Sequence, residues 1–597
     1  MRSAEILSAR QARGLVGLIW LGLCAIMIFW NWSAILTLDY RDTDDALRLV
    51  QVRDLLAGQG FFDLVQHRFA TATPVVMHWS RLVDVPIALG IALLTPIVGS
   101  GAAERITLVA IPLLLFGGLM ALLYGLTRPL GLSRATSLLA CLLLATSLPI
   151  LIQFTPLRID HHGWQILLGA IALNGLLYPA QHSGKGALVA GLALAGWMQI
   201  SMEGLPYAVA AGLIIAGGDL VRRDRLRSLM AYLVALTAAS WLMLPLGHGG
   251  MAAFLPVCDA ISPSLLIPLT ACCAVVLCAR ALLPLDLSWQ RAMAMALAGA
   301  AGAITFLSTA SACLAGPFET LTPLVYRLWY LGVAEGRPIT AQTPALQAAI
   351  LMPALFGAIG SALALRSATS QQQRTAWVSL LAMQLFAFLV SLDVMRAMSF
   401  AHFAALPGNA WLLLRLARRA QSLRAMPIRV ILTAATALFS PLGAASATAA
   451  ILEAGHNDTK QPSAPTEASC TTSRSVAALE KVAPARILAT LDVGPYILAA
   501  THDSIIGSGH HRNIAGMDAV VRTFVSPPDV ARGIARKAGA DFIVYCPGLG
   551  EVKRFTEFAP KGLMATLEKN DVPGWLTRVP LDPGNTLRVY RVERTPR

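Results

Sequence analysis

The stretch Leu82–Val98, LVDVPIALGIALLTPIV, is apolar enough to enter a membrane yet carries Asp84, Pro86, Gly90 and Pro96. Its reading sets the sidedness of everything that follows. If it spans, the sparse loop Gly99–Arg105 falls inside and the basic loop Arg128–Arg134 outside. If it lies in the interface or re-enters, Arg128, Arg134, Lys185, Arg222, Arg223, Arg225, Arg227, Arg280, Arg291, Arg366 and Arg374 share the face of the N-terminus, joined by Arg415, Arg418, Arg419, Arg424 and Arg429. The excess of Lys and Arg in cytoplasmic loops selects the second reading.

The chain around it has 597 residues, 56% hydrophobic and 13% charged, and a mean hydropathy of +0.62. These values exclude an ordinary soluble globule, so the expected class is an α-helical polytopic membrane protein. Its net charge of +14 reads as orientation and not as nucleic-acid binding. A basic start, Met1–Arg13, precedes a retained first span at Gly14–Leu36, which places the N-terminus inside. Further spans are expected near 106–126, 135–153, 163–179, 187–201, 203–217, 228–246, 263–280, 293–312, 346–366, 375–395, 400–417 and 430–452, about thirteen in all. Ala187–Gly217 reads as two short helices around Glu203 or as one kinked helix. An odd count puts the tail outside.

The chain thus divides into a transmembrane catalytic module, 1–454, with external loops 37–105, 154–162, 247–262 and 313–345, a polar linker, 455–485, and an external α/β domain, 486–597. In that domain ARILATLD and DFIVYC are strand-like and DVARGIARKAG is helix-like. Cys24, Cys141, Cys258, Cys272, Cys273, Cys278 and Cys313 read mostly as small apolar packing residues. Cys470 and Cys546 lie in the polar tail, where a disulfide can form if the tail is outside the cytosol.

This topology gathers acids and imidazoles on one face. LDYRDTDDALRLVQVRDLLAGQGFFD, 38–63, brings Asp44 and Asp45 at the start of a short helix ended by Gly58 and Gly60. FTPLRIDHHGWQ brings Asp160, His161 and His162, and WYLGVAEGRP brings Glu335. Carboxylates with imidazole suit a divalent ion such as Mg²⁺ or Mn²⁺, which could neutralise a phosphate leaving group while a carboxylate orients an acceptor. Asp44, Asp45 and Asp160 could equally cap helices. Arg396, in SLDVMRAMSF, could hold a lipid phosphate, snorkel or pair with Asp393. Glu203 could contact a donor sugar or join neighbouring helices.

These loops resemble those of the catalytic subunit of oligosaccharyltransferases, within the C-type membrane glycosyltransferases that use polyprenyl-linked donors. TDDALRLVQVR is similar to the family's first-loop element, with Asp44 the better match and Asp45 its rival. Asp160, His161 and His162 resemble its second-loop motif, and Val333–Pro338 its later Ser-Val-Ser-Glu-His-Gln-Pro stretch. The resemblance implies metal-site roles for Asp44 or Asp45, Asp160, His162 and Glu335, and a phosphate contact for Arg396. Thr490–Pro495 stands where the family has Trp-Trp-Asp-Tyr-Gly and retains Asp492 and Gly494 but neither tryptophan. That loss favours an envelope glycan or glycolipid acceptor over a protein, with His510, His511 and Arg512 as candidate contacts to an anionic acceptor. The implied protein is a monomeric, inverting transferase of the bacterial inner membrane with a periplasmic C-terminal domain. A lipid-linked glycan transporter is the non-enzymatic alternative; it is expected to show charges at mid-membrane or an internal repeat.

Overall fold

A computed structural model describes residues 7–178, 184–222, 224–316, 318–454, 470–481 and 484–593. Among these, nine helices are long and apolar enough to cross a membrane, and two bent pairs, Arg134–Thr146 with Leu148–Phe154 and Met426–Phe439 with Pro441–Leu452, raise the number to eleven. The chain is a multi-pass membrane protein.

One of the nine, Arg81–Val98, is anchored by ion pairs near both ends. At its start the Arg81 guanidinium donates to the carbonyls of Phe61 and Asp63, and Asp84 takes Arg48 of helix Thr43–Leu56 at 2.7 Å. Just past its end, across Gly99, Glu104 takes Arg53 of that same helix at 2.7 Å. Arg48, Arg81 and Asp84 are each about 1% exposed, and carrying this ion cluster into lipid would be costly. Arg48 and Arg53 of helix Thr43–Leu56 thus tie the start of this helix and the residues just past its end to the same neighbour. The shorter apolar helices His162–Leu177 and Lys185–Ile200, and Met398–Gln421, pack in the same bundle. Lys185–Ile200 and Gly204–Val221 are two helices meeting at Glu203.

Helix Thr43–Leu56 begins at Asp42, whose side chain accepts from the Asp44 N–H. Asp42 holds the capping role, so Asp44 and Asp45 occupy the first turn, where the helix dipole favours them. The helix ends before Gly58, whose φ of +105° suits glycine.

The C-terminal domain is a five-stranded sheet in the order β2-β1-β3-β5-β4, with β1 Arg486–Ala489, β2 Ser504–Ile505, β3 Phe542–Tyr545, β4 Leu576–Val579 and β5 Arg588–Val592. β2, β1 and β3 are parallel, and β5 and β4 antiparallel. Helices such as Pro528–Lys537 cover it. One apolar core runs from Leu47 and Val83 at the bundle end through Ile159 to Ile487 and Val544 of the sheet. Arg68 adds a polar clasp, donating to the carbonyls of Leu498, Thr501 and Asp503.

Two features differ from the sequence reading. Cys258 is not a packing residue but is disulfide-bonded to Cys313, joining two loops at the site end. The expected linker is partly outside the described residues, at 455–469, as is Arg223. Its described residues 470–481 are docked: Cys470 is bonded to Cys546, and Ser473 N–H donates to Asp39.

Candidate active site

The loops that carry the predicted acids meet where the C-terminal domain covers the bundle. A cavity of about 520 Å³ lies there, lined by Asp44, His161, Glu203, Glu335, Arg396, Asp492, His510 and His511 among others. A second cavity, of about 270 Å³, shares Asp42, Glu335 and Arg396 with the first. A third, of about 120 Å³, is an apolar groove among Ile166, Trp197, Pro206, Tyr207, Val390 and Phe400 that reaches Arg396 from the bundle. Arg396 thus stands at the junction of all three cavities.

The first helical turn sends its two aspartates to different tasks. Asp45 is 1% exposed. It accepts the backbone N–H groups of Ile159 and Asp160, at 2.8 and 3.0 Å, and Arg158 at 3.0 Å, so it builds the loop beneath the site. Asp44 faces the cavity, 3.3 Å from His510 Nε2. Burial alone would raise its carboxyl, but the hydrogen bond from His510 prevails and holds it below the ordinary carboxylate range.

Asp160 is pinned from behind. Arg158 reaches Asp160 at 2.9 Å, Asp45 at 3.0 Å and Asp42 at 2.6 Å. Burial raises Asp160, yet Arg158 and then His162 outweigh it and keep it ionised. One Asp160 oxygen accepts the His162 N–H at 3.0 Å and the other meets His162 Nδ1 at 2.5 Å, so Asp160 also caps the helix start. The His161 and His162 rings stack at 4.5 Å. Burial, with His162 beside it, lowers His161 to about 4, which leaves a neutral imidazole.

Asp160, His161 and His162 place one ligand atom each within 4.8 Å of one another. His161 Nδ1 and His162 Nε2 are buried without a partner, and a buried imidazole nitrogen with no hydrogen-bond partner is a ready metal donor. The residues therefore fit a divalent ion, and nitrogen donors suit Mn²⁺ better than Mg²⁺. Asp44 and Glu335 stand outside this cluster, each facing another side chain. Asp44 lies on His510, and Glu335 is 3.7 Å from Arg396. Burial raises Glu335 despite that arginine.

Arg396 also pairs with Glu203, at 3.1 Å, while its Nε is buried without a partner. Glu203 is thus brought to the site by a bond to Arg396. His511 and Arg512 are not free for an anionic acceptor: Asp259 takes His511 at 2.8 Å and the Arg512 guanidinium at 2.6 and 2.8 Å. Sequence reasoning missed Asp259, His78, Trp79 and Arg158. Only Arg158 carried a signal, standing two residues before Asp160.

The fold is that of a multi-pass membrane protein and is C-type glycosyltransferase-like. In particular, the chain is similar to the archaeal oligosaccharyltransferase AglB of Archaeoglobus fulgidus, solved with an inhibitory peptide and a dolichol-phosphate. The identity is 14%, the TM-score 0.65, and the match covers 97% of this chain and 74% of that one. The apo form of the A. fulgidus enzyme matches at 13% identity and TM-score 0.64, covering 98% and 75%. A complex of it with Zn and sulfate matches at 15% and 0.57, covering 96% and 73%. No protein-family model and no curated protein sequence matches the chain.

Proposed function

We propose that the chain transfers a sugar from a polyprenyl phosphate or diphosphate to an envelope glycan or glycolipid outside a bacterial inner membrane. The observation that carries this reading is the position of Arg396. An apolar groove reaches it from the bundle, and beyond it lies a polar cavity containing Asp44. A polyprenyl tail suits the groove, and an anion suits a guanidinium whose Nε lacks a partner. The dolichol-phosphate and acceptor peptide bound by the A. fulgidus enzyme support the same division.

Asp44 receives the acceptor. The acceptor oxygen attacks the anomeric carbon, the bond from that carbon to the phosphate oxygen breaks with its electron pair, and the proton passes to the Asp44 carboxylate. A single displacement inverts the anomeric centre. Asp160, His161 and His162 would hold a divalent cation, which when bound neutralises charge growing on the leaving phosphate. Glu203 and Glu335 hold the Arg396 guanidinium in place.

Both disulfides lie at the site end, which suits an oxidising compartment. The N-terminus is accordingly cytoplasmic and the C-terminal domain periplasmic, in a chain that works as a monomer. The test is mass spectrometry of envelope glycolipids from cells with the gene deleted, then restored with wild type, Asp44→Ala or Asp160→Ala. A glycan lacking one sugar, recovered by wild type alone, is the expected result. Unchanged glycans and lipid-linked sugar pools in the deletion strain would overturn the reading.

A further inference from the structure

Three segments distant in sequence meet on the wall of the large cavity. His78 follows helix Thr43–Leu56, Asp259 lies in the loop between two spans, and His511 belongs to the C-terminal domain. The His78 and His511 rings are 4.4 Å apart, and His78 Nδ1 is buried without a partner. Phe318 stands edge-on to His511 at 5.2 Å and packs on Tyr330 at 4.8 Å. Phe318 and Tyr330 remain half-buried and line the cavity.

By spacing alone His78, Asp259 and His511 could hold a metal, since their ligand atoms lie within 4.8 Å of one another. The Arg512 fork weighs against it. A cation here would compete with a guanidinium for the same carboxylate oxygens, with no further acid in the cluster to balance the charge. What the cluster offers instead is imidazole nitrogen, a fixed carboxylate and partly open ring faces. These groups match a polyhydroxylated ring, whose hydroxyls hydrogen-bond while its C–H face packs on an aromatic ring. At this wall the one carboxylate, Asp259, is already closed on by Arg512 and His511, so among the described residues the wall carries no free cation for an anionic acceptor group, in contrast to Arg396 across the cavity. The Thr490–Pro495 segment brings no aromatic ring to the cavity; Phe318, Trp329 and Tyr330 come from the loop that bears Glu335, and Trp79 from the first external loop.

Resting on the transferase reading, we propose that His78, Asp259, His511, Phe318 and Tyr330 form the acceptor subsite, and that the group they seat is a neutral sugar unit of a glycan. Asp44 lines the same cavity, so a hydroxyl of that unit is the nucleophile.

The test uses the full chain in lipid nanodiscs. Oligosaccharides released from cell envelopes by mild acid are separated into neutral and anionic pools, and each is titrated by calorimetry beside an Asn-X-Ser peptide. Polyprenyl phosphate binding is measured on the same samples. The expected result is that the neutral pool binds. His78→Ala and Tyr330→Ala each weaken it by on the order of tenfold, as for one lost hydrogen bond or ring contact, with polyprenyl phosphate binding unchanged. If His78→Ala loses both ligands, Phe318→Ala carries the same comparison. Polyprenyl phosphate binding without the neutral pool, or with the anionic pool or the peptide in its place, overturns the subsite and leaves the transferase reading standing. An equivalent of zinc bound by wild type and lost in His78→Ala, with no glycan binding, also overturns it. Binding of neither glycan nor polyprenyl phosphate sinks the transferase reading itself.

Discussion

Two clusters of histidine and aspartate lie beside one cavity, which His161 of the first and all three members of the second line, and they differ in the charge around them and in origin. Asp160, His161 and His162 are consecutive residues at a helix start. His78, Asp259 and His511 come from three segments. Each aspartate is gripped by an arginine, but Arg158 also faces Asp42 and Asp45, whereas Arg512 closes on Asp259. The first cluster therefore sets three carboxylates about one guanidinium and suits a cation; the second sets one carboxylate against one guanidinium and suits a neutral ligand. Ligand class is set by the charge behind the donor atoms as much as by the donors.

The largest expected effect breaks the first cluster alone. Asp160→Ala should lower transfer by at least about 10²-fold and abolish Mn²⁺ binding in calorimetry. His78→Ala should leave Mn²⁺ binding intact. If both substitutions removed the metal equally, the two clusters would not be distinct.

Next comes the floor beneath both. Arg48 stacks on Trp79 at 4.3 Å, and Trp79 lies 5.1 Å from His510 and 6.4 Å from His161. Asp84→Ala would leave Arg48 and Arg81 buried without their carboxylate, a loss of about 3–5 kcal/mol. Thermal unfolding of the purified chain should show a marked fall in Tm. Metal and glycan binding should weaken together, because this change touches the support and not either cluster.

The third prediction separates the clusters from the other side. Cys258 adjoins Asp259, and its bond to Cys313 closes 55 residues. Replacing both cysteines by alanine should cost about 2–4 kcal/mol. It should weaken binding at the His78 cluster while Mn²⁺ affinity at Asp160 stays within about twofold. Equal losses at both would mean that the disulfide steadies the whole bundle end.

How much of this was legible in the chain follows from the same contrast. The passes could be read because lipid enforces long apolar runs and basic loops mark one face. Leu82–Val98 forms one apolar helix, as its composition suggested, but its sidedness rests on the basic loops that follow it. Asp160, His161 and His162 were visible because one helix start holds them all. Asp44 and Asp45 could not be told apart, since their roles depend on which side of the turn meets Arg158 and which meets His510. The His78 cluster was invisible, for its members are separated by 181 and 252 residues. Cys258 and Cys313 failed for the same reason: spacing does not disclose a pairing between loops.

The smallest effect concerns pH. Asp259 is raised by burial but held below the ordinary carboxylate range by its hydrogen bonds with Arg512 and His511, with His78 adding to the pull. A carboxylate depressed in the folded state stabilises fully above its unfolded value, about 3.9, and that contribution is lost as pH falls through the lower folded value. The Tm difference between wild type and Asp259→Asn should therefore be constant from about pH 7 to about pH 5 and shrink below about pH 4. Asp160 is also depressed, but it remains in both proteins and cancels in the comparison. A difference that grew in acid would mean that Asp259 is protonated in the folded protein, and the balanced pair assigned to the second cluster would have to be abandoned.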